Sequence, residues 1–205
     1  MTRFVRLGRC AGLVLLLAFA LAPVGRAQDS STQDNGATTP PAASDEGFSQ
    51  EEVLDKARGF FGETTEGLAK AIEKVFEDQG RPNAIITGEE ASGAIGIGLR
   101  YGEGLLERKG GGGVQVYWQG PSIGFDLGGH AARVFTLVYN LGSNDEIFQR
   151  FPGVDGSAYF IAGLSVNYQK SGNIVLAPIR TGVGLRLGAN VGYLHYTRES
   201  SWVPF

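Results

Sequence analysis

Cysteine is almost missing from this chain: Cys10 is the only one in 205 residues. It precedes an apolar run, whereas a lipoprotein cysteine follows one. Past Cys10 no thiol remains, which excludes disulfides, thiolate metal sites and cysteine nucleophiles from the rest of the chain. Histidine is nearly as scarce. His130 sits in a Gly-Gly-His segment and His195 among tyrosines, and neither has a second histidine at a ligand spacing. Long apolar runs are missing too. The longest, Ala11 to Ala22, has about a dozen residues, against roughly 20 needed to cross a bilayer core as a helix. No transmembrane helix is expected.

What is present begins with three positive charges, Arg3, Arg6 and Arg9, ahead of that run. Pro23 and a small-x-small site, Gly25-Arg26-Ala27, follow it. This is the order of a cleavable export signal, with the cut placed after Ala27. Residues 1–27 are therefore expected to be a signal peptide, and the mature protein to work in the periplasm. Cleavage would remove Arg3, Arg6, Arg9 and Arg26 from 18 basic residues and none of the 21 acids, leaving a formal charge of −7. Such an acidic chain is a poor nucleic-acid partner.

Residues 28–46 (QDSSTQDNGATTPPAASDE) hold no bulky apolar side chain. They cannot bury enough surface to offset ordering entropy, and a disordered linker is expected. Residues 47–205 are then a single domain. Ser49-Gln50-Glu51-Glu52 is a capping box. Val53, Leu54, Ala57, Phe60 and Phe61 follow on one helical face, and Gly62 ends it. Leu68, Ile72, Val75 and Phe76 form a second stripe, stopped by Gly80 and Pro82. Helices are thus expected over about 49–80.

From Ala84 the apolar period changes from 3.6 to 2, so strands are expected over about 84–200. Candidates are 94–106, 114–118, 123–127, 133–140, 157–168, 174–179 and 182–197. Turn signals fall at Gly110 to Gly113, Gly120-Pro121, Gly128-Gly129, Asp155-Gly156 and Ser171-Gly172-Asn173. One helical turn or two is expected within 143–150. Glycine makes up 32 of 205 residues, about 16% against a usual 7% or so. Much of it alternates with aliphatics: Gly96-Ile97-Gly98-Leu99-Arg100-Tyr101-Gly102 recurs as Gly182-Val183-Gly184-Leu185-Arg186-Leu187-Gly188. Glycine rows inside strands mark bends or close approaches, as a small curved barrel needs. The fold class read from this pattern is mainly β: a small glycine-rich antiparallel β-barrel, with one or two N-terminal α-helices packed on or into it.

Catalytic patterns are not completed. Neither glycine repeat finishes a GxGxxG, because Tyr101 and Leu187 stand at its third glycine. Gly110 to Gly113 runs into Val114-Gln115 rather than Lys-Ser or Lys-Thr. Ser165 lies in Gly-Leu-Ser-Val-Asn, which fails the nucleophile elbow at its last position. No nucleophile, base and orienter set is visible, so no enzyme activity and no cofactor are expected. The aromatics are more suggestive. Trp118, Phe125, Phe135, Tyr139 and Phe160 lie in strands, and either fill an ordinary core or line an apolar pocket.

Gly102-Glu103-Gly104-Leu105-Leu106, then Val116-Tyr117-Trp118-Gln119-Gly120-Pro121-Ser122-Ile123-Gly124-Phe125-Asp126, then Val134-Phe135 through Val138-Tyr139-Asn140-Leu141, resemble the envelope integrity protein A family. This is an alphaproteobacterial periplasmic domain of unknown function, similar at a distance to the SYLF lipid-binding domain. The resemblance spans about residues 48–205. It implies a small periplasmic barrel, non-enzymatic, that supports the cell envelope and has a lipid or other amphiphile and envelope components as partners. Lys56, Arg58, Lys70 and Lys74 would be the headgroup contacts, but Glu51, Glu52, Glu66, Glu73 and Glu77 surround them. The alternative is a small integral outer-membrane barrel. Against it, Pro204 sits in what would be the final strand, and Thr197, Glu199 and Ser201 break the apolar alternation. Two outcomes are open for the barrel interior. It holds an amphiphile, or the helix bearing Phe60 and Phe61 plugs it. The two helical stripes must bury somewhere, which favours the plug.

Overall fold

The computed structural model of the chain describes residues 47–62, 66–95, 97–123, 128–181 and 192–201. The expected signal peptide and linker, Phe125 and the second glycine repeat lie outside the described residues.

Helix α1 (Gln50–Phe61) begins as its capping box dictates. Glu52 N–H donates to Ser49 Oγ at 3.2 Å, and Ser49 N–H donates to Glu52 Oε2 at 2.7 Å. Gly62, at φ 86°, ends it in the left-handed conformation. Helix α2 (Glu66–Gln79) buries Leu68, Ala71, Ile72 and Val75.

The strands are β1 (Ala84–Ile95), β2 (Ile97–Arg108), β3 (Gly113–Ile123), β4 (Gly128–Tyr139), β5 (Arg150–Pro152), β6 (Tyr159–Ile161), β7 (Leu164–Val166), β8 (Gln169–Ser171), β9 (Ile174–Arg180) and β10 (Tyr193–Thr197). All pairings are antiparallel, in the order β5-β10-β3-β2-β1-β4-β9-β7-β6, with β8 also on β9. A bridge from Gly153 to Gln169, and Val154 N–H donating to the Tyr168 carbonyl at 2.9 Å, join the β5 side to the β8 side. The sheet is thus curled and barrel-like.

Alternation along the strands separates two apolar clusters. The even-numbered Ala84, Ile86, Leu106, Val116, Trp118, Val134, Val138, Ile174, Leu176, Leu194 and Tyr196 meet Phe151, Leu141 and Ile147 in one cluster. Side chains from seven strands meet this way only if the sheet wraps around them, so this cluster is the barrel interior. The odd-numbered Ile85, Phe135, Leu137, Tyr139, Ala177 and Ile179 pack outside it, beneath Val53, Ala57, Leu68, Ile72 and Val75 of the helices. The plug favoured above is therefore corrected. The helices bury their stripes on the outer face of β1, β4 and β9, and the barrel is filled by its own side chains.

Several strand limits also differ from expectation. Residues 84–93 form most of β1, although Gly88-Glu89-Glu90 hides the apolar period. The single strand expected over 94–106 is broken after Ile95, where β1 turns into β2. Gly120-Pro121 is no turn; both lie within β3. A Cβ at Gly120 would stand 2.0 Å from the Tyr193 carbonyl oxygen, so glycine there serves the close approach of β10. Gly128-Gly129 likewise opens β4. Residues 157–168 hold two short strands, with a turn at Ala162-Gly163 between them. The helical turn expected within 143–150 is a 3-10 turn, Asn144–Ile147.

Candidate functional site

The first candidate is on the outer face. Phe61 at the end of α1, Leu68 of α2, Arg133 of β4, Ala162, Gly163 and Leu164 of the β6–β7 hairpin, and Thr181 after β9 line a half-open groove of about 370 Å³. Its floor is apolar because it continues the helix–sheet core, to which Phe60, Phe61 and Leu164 belong. Phe60 and Phe61 stack edge to face, 5.1 Å between centroids, and both lean on Phe135 at 6.2 and 6.1 Å. Arg133 is held at the rim. Its Nη1 donates to the Phe60 carbonyl at 3.1 Å, satisfying a carbonyl at the C-terminal end of α1, and its guanidinium lies 6.0 Å from the Phe60 ring centroid. On the other side α2 and the hairpin meet tightly. A Cβ on Gly67 would stand 2.5 Å from Ala162 Cβ.

The second candidate is inside the barrel, farther along than the aliphatic layer. Glu90 is buried there with two arginines. Arg180 Nε donates to its Oε1 at 3.1 Å, and Arg100 Nε lies 3.3 Å from the same oxygen. Trp118 Nε1 donates to Oε2 at 2.9 Å. Arg180 Nη1 donates to Asn167 Oδ1 at 2.6 Å. Burial pushes the Glu90 carboxyl up, but Arg180, Arg100 and the two hydrogen bonds outweigh it and hold the group below its ordinary value. Glycine makes room for the tryptophan: a Cβ on Gly102 would stand 2.1 Å from Trp118 Cε2.

The five aromatics singled out in the sequence do not share a wall. Trp118 is inside the barrel, buried against Tyr196 at 5.7 Å between ring centroids. Phe135 and Tyr139 are buried on the opposite, outer face. Phe160 is 47% exposed on β6. Phe125 lies outside the described residues. Of the four described aromatics, Phe135 alone reaches the neighbourhood of the groove, through Phe60 and Phe61. Sequence reading missed Arg133, Thr181, Glu90 and Arg180. A signal did exist for Arg180, which continues the inward phase of Ile174 and Leu176 and so places a charge in the barrel. His195 is half-buried in β10; burial and nearby Arg150 push its pKa down. Among the described residues no three His, Cys, Asp or Glu side chains could hold a metal ion.

A family model described as envelope integrity protein A matches residues 46–205. Among solved structures, an uncharacterised β-barrel-like protein from Brucella abortus is 50% identical. That match covers 78% of this chain and 99% of the other, with a TM-score of 0.70. No curated protein matches.

Proposed function

The chain belongs to the envelope integrity protein A family, and from that membership we propose a non-enzymatic periplasmic protein that supports the envelope by holding an anionic amphiphile. The family name supports the envelope role. The expected signal peptide, with Arg3, Arg6 and Arg9, the apolar run and the Gly25-Arg26-Ala27 site, supports export. The single observation that carries the amphiphile is the groove, where an apolar floor of Phe61, Leu68 and Leu164 meets the Arg133 cation at the rim. That pairing suits an acyl chain with a negative head. At about 370 Å³ the groove is near the lower end of ligand sites, roughly 300–1,000 Å³. One acyl chain suits it better than a whole two-chain lipid.

The outer-membrane alternative is disfavoured by the outer face. Glu89, Glu103 and Glu107 occupy outward positions on β1 and β2, and two helices cover β4 and β9. A lipid-facing band carries apolar side chains there. Osmotic shock should release the protein with the periplasmic fraction; retention in the membrane pellet would favour the alternative.

Titration of the exported protein with a dansyl-labelled undecanoate tests the groove. Saturable one-to-one binding is expected. Thr181→Phe, which fills the groove, and Arg133→Glu, which reverses its rim charge, should each weaken binding at least about tenfold, a loss near 1.4 kcal/mol. Absence of saturable binding, or unchanged binding by Thr181→Phe, would overturn the reading.

A further inference from the structure

A row of outward side chains crosses the sheet at the outer groove. Val134 of β4 and Arg180 of β9 are paired and face inward, so Arg133 and Thr181, the next pair along, face outward side by side. Thr181 N–H donates to the Arg133 carbonyl at 3.2 Å, which fixes this level. On one flank, Ser165 of β7 pairs with Arg180, which sets Leu164 beside Thr181. On the other flank, Glu89 of β1 pairs with Arg133, and Glu103 of β2 pairs with Glu89. The order across the outer face is therefore Leu164, Thr181, Arg133, Glu89, Glu103: apolar group, hydroxyl, guanidinium, then two carboxylates.

The groove takes in the first three of these. Leu164, Thr181 and Arg133 line it, and Glu89 stands beyond its rim. Arg133 uses Nη1 on the Phe60 carbonyl, and the edge formed by Nε and Nη2 is the one that can hold two oxygens of an anion. A simple anionic head fits this row poorly. Adjacent strands lie roughly 5 Å apart. That is within the Debye length of about 8 Å at physiological salt, so Glu89 acts on whatever binds at Arg133. A carboxylate ends at Arg133 and meets Glu89 as a like charge. A phosphate monoester, at about −1.5 to −2, meets it more strongly. A phosphodiester carries less charge, and its second ester arm continues past Arg133 toward Glu89. A hydroxyl or ammonium on that arm donates to the carboxylate.

The geometry points to a single-chain phosphodiester as the amphiphile of the groove. Its chain lies on Phe61, Leu68 and Leu164, its phosphate on Arg133 and Thr181, and its donor-bearing arm on Glu89. This inference rests on the groove reading above and specifies the negative head. Chain, phosphate and donor arm follow one another in the covalent order of such a molecule, and the row presents their partners in the same order.

The exported protein, loaded with dansyl-undecanoate, is titrated with competitors kept below their micelle concentrations. They are myristoyl lysophosphatidylethanolamine, myristoyl lysophosphatidylglycerol, myristoyl lysophosphatidic acid and uncharged monomyristoylglycerol. All share one chain and a glycerol and differ in the head. At least one of the two diesters is expected to displace the probe at a concentration about tenfold or more below that needed for lysophosphatidic acid or the glyceride. A lead of the ethanolamine head over the glycerol head assigns an ammonium to the arm; a lead of the glycerol head assigns a hydroxyl. Glu89 is exposed, so Glu89→Lys should keep the parent Tm. It should reverse the order, with lysophosphatidic acid gaining about tenfold and the diesters losing their lead. The outcomes separate the two readings. If the probe does not bind, the groove reading falls and this inference falls with it. If the probe binds and lysophosphatidic acid matches or beats both diesters, the groove reading stands and this inference is overturned. It is overturned equally if the diesters keep their lead in Glu89→Lys.

Discussion

The two faces of β4 show how one strand serves two environments. Val134 to Tyr139 are all buried, yet the odd positions lie under the helices and the even ones inside the barrel. The outer face is held by apolar burial; its buried polar atoms include Tyr139 Oη, which has no hydrogen-bond partner among the described residues, and other polar groups pair at the margin. Tyr168 Oη donates to Asp78 Oδ2 there at 2.8 Å. The inner face is apolar at the end where β4 stops and charged at the other end, around Glu90. Stability on the outer face therefore follows buried area, whereas on the inner face it also follows charge and pH. Substitutions on the two faces should separate these behaviours.

The largest effect is expected inside. Glu90→Ala leaves two guanidiniums without their carboxylate and should cost about 3–5 kcal/mol in a urea melt. Trp118→Ala should cost a comparable ~3–5 kcal/mol, through lost burial and a lost hydrogen bond to Glu90. A cost below about 1 kcal/mol for either would mean that the inner face is not organised around Glu90.

Outside, Phe135→Ala should cost about 3–4 kcal/mol by area alone. Its penalty should not vary with pH, and that is where the faces part. The Glu90 carboxyl is held below its unfolded value, so its contribution is full above the unfolded pKa, near 4.3. The contribution is lost as pH falls through the folded pKa. The stability gap between the parent and Glu90→Gln should therefore shrink between pH 6 and pH 3 (about the carboxylate range), while the gap to Phe135→Ala stays level. Parallel behaviour of both gaps would erase the distinction between the faces.

The smallest effect belongs to Phe160. It is 47% exposed on β6, and Phe160→Ala should change stability by less than about 0.5 kcal/mol. A larger loss would place Phe160 in a contact that its exposure does not indicate.

Much of this arrangement is legible in the sequence. The Ser49–Glu52 capping box locates α1, because its bonds span three residues and depend on nothing distant. Trp118 reads as inward because Val114, Val116 and Trp118 share a face. What is hidden depends on partners far along the chain. β1 is obscured because Gly88 and Glu90 face inward, where a glycine and a carboxylate break the apolar period. Gly88 lies against Trp118 and Glu90 meets Arg180, residues remote in sequence. Gly120-Pro121 reads as a turn because that pair usually makes one, and only the approach of Tyr193 explains it within a strand. The five aromatics look like one wall because parity is known within each strand but not between strands. Register sets Trp118 and Phe135 on opposite faces, and register follows from hairpin lengths that composition does not state.

The central claim is that the ligand-holding surface is the outer groove and not the inner apolar layer. Native mass spectrometry of the exported protein, beside Thr181→Phe, tests it most directly. The account predicts one bound single-chain anionic amphiphile on the parent protein and none on Thr181→Phe. No adduct on the parent, or the same adduct on both proteins, would contradict it.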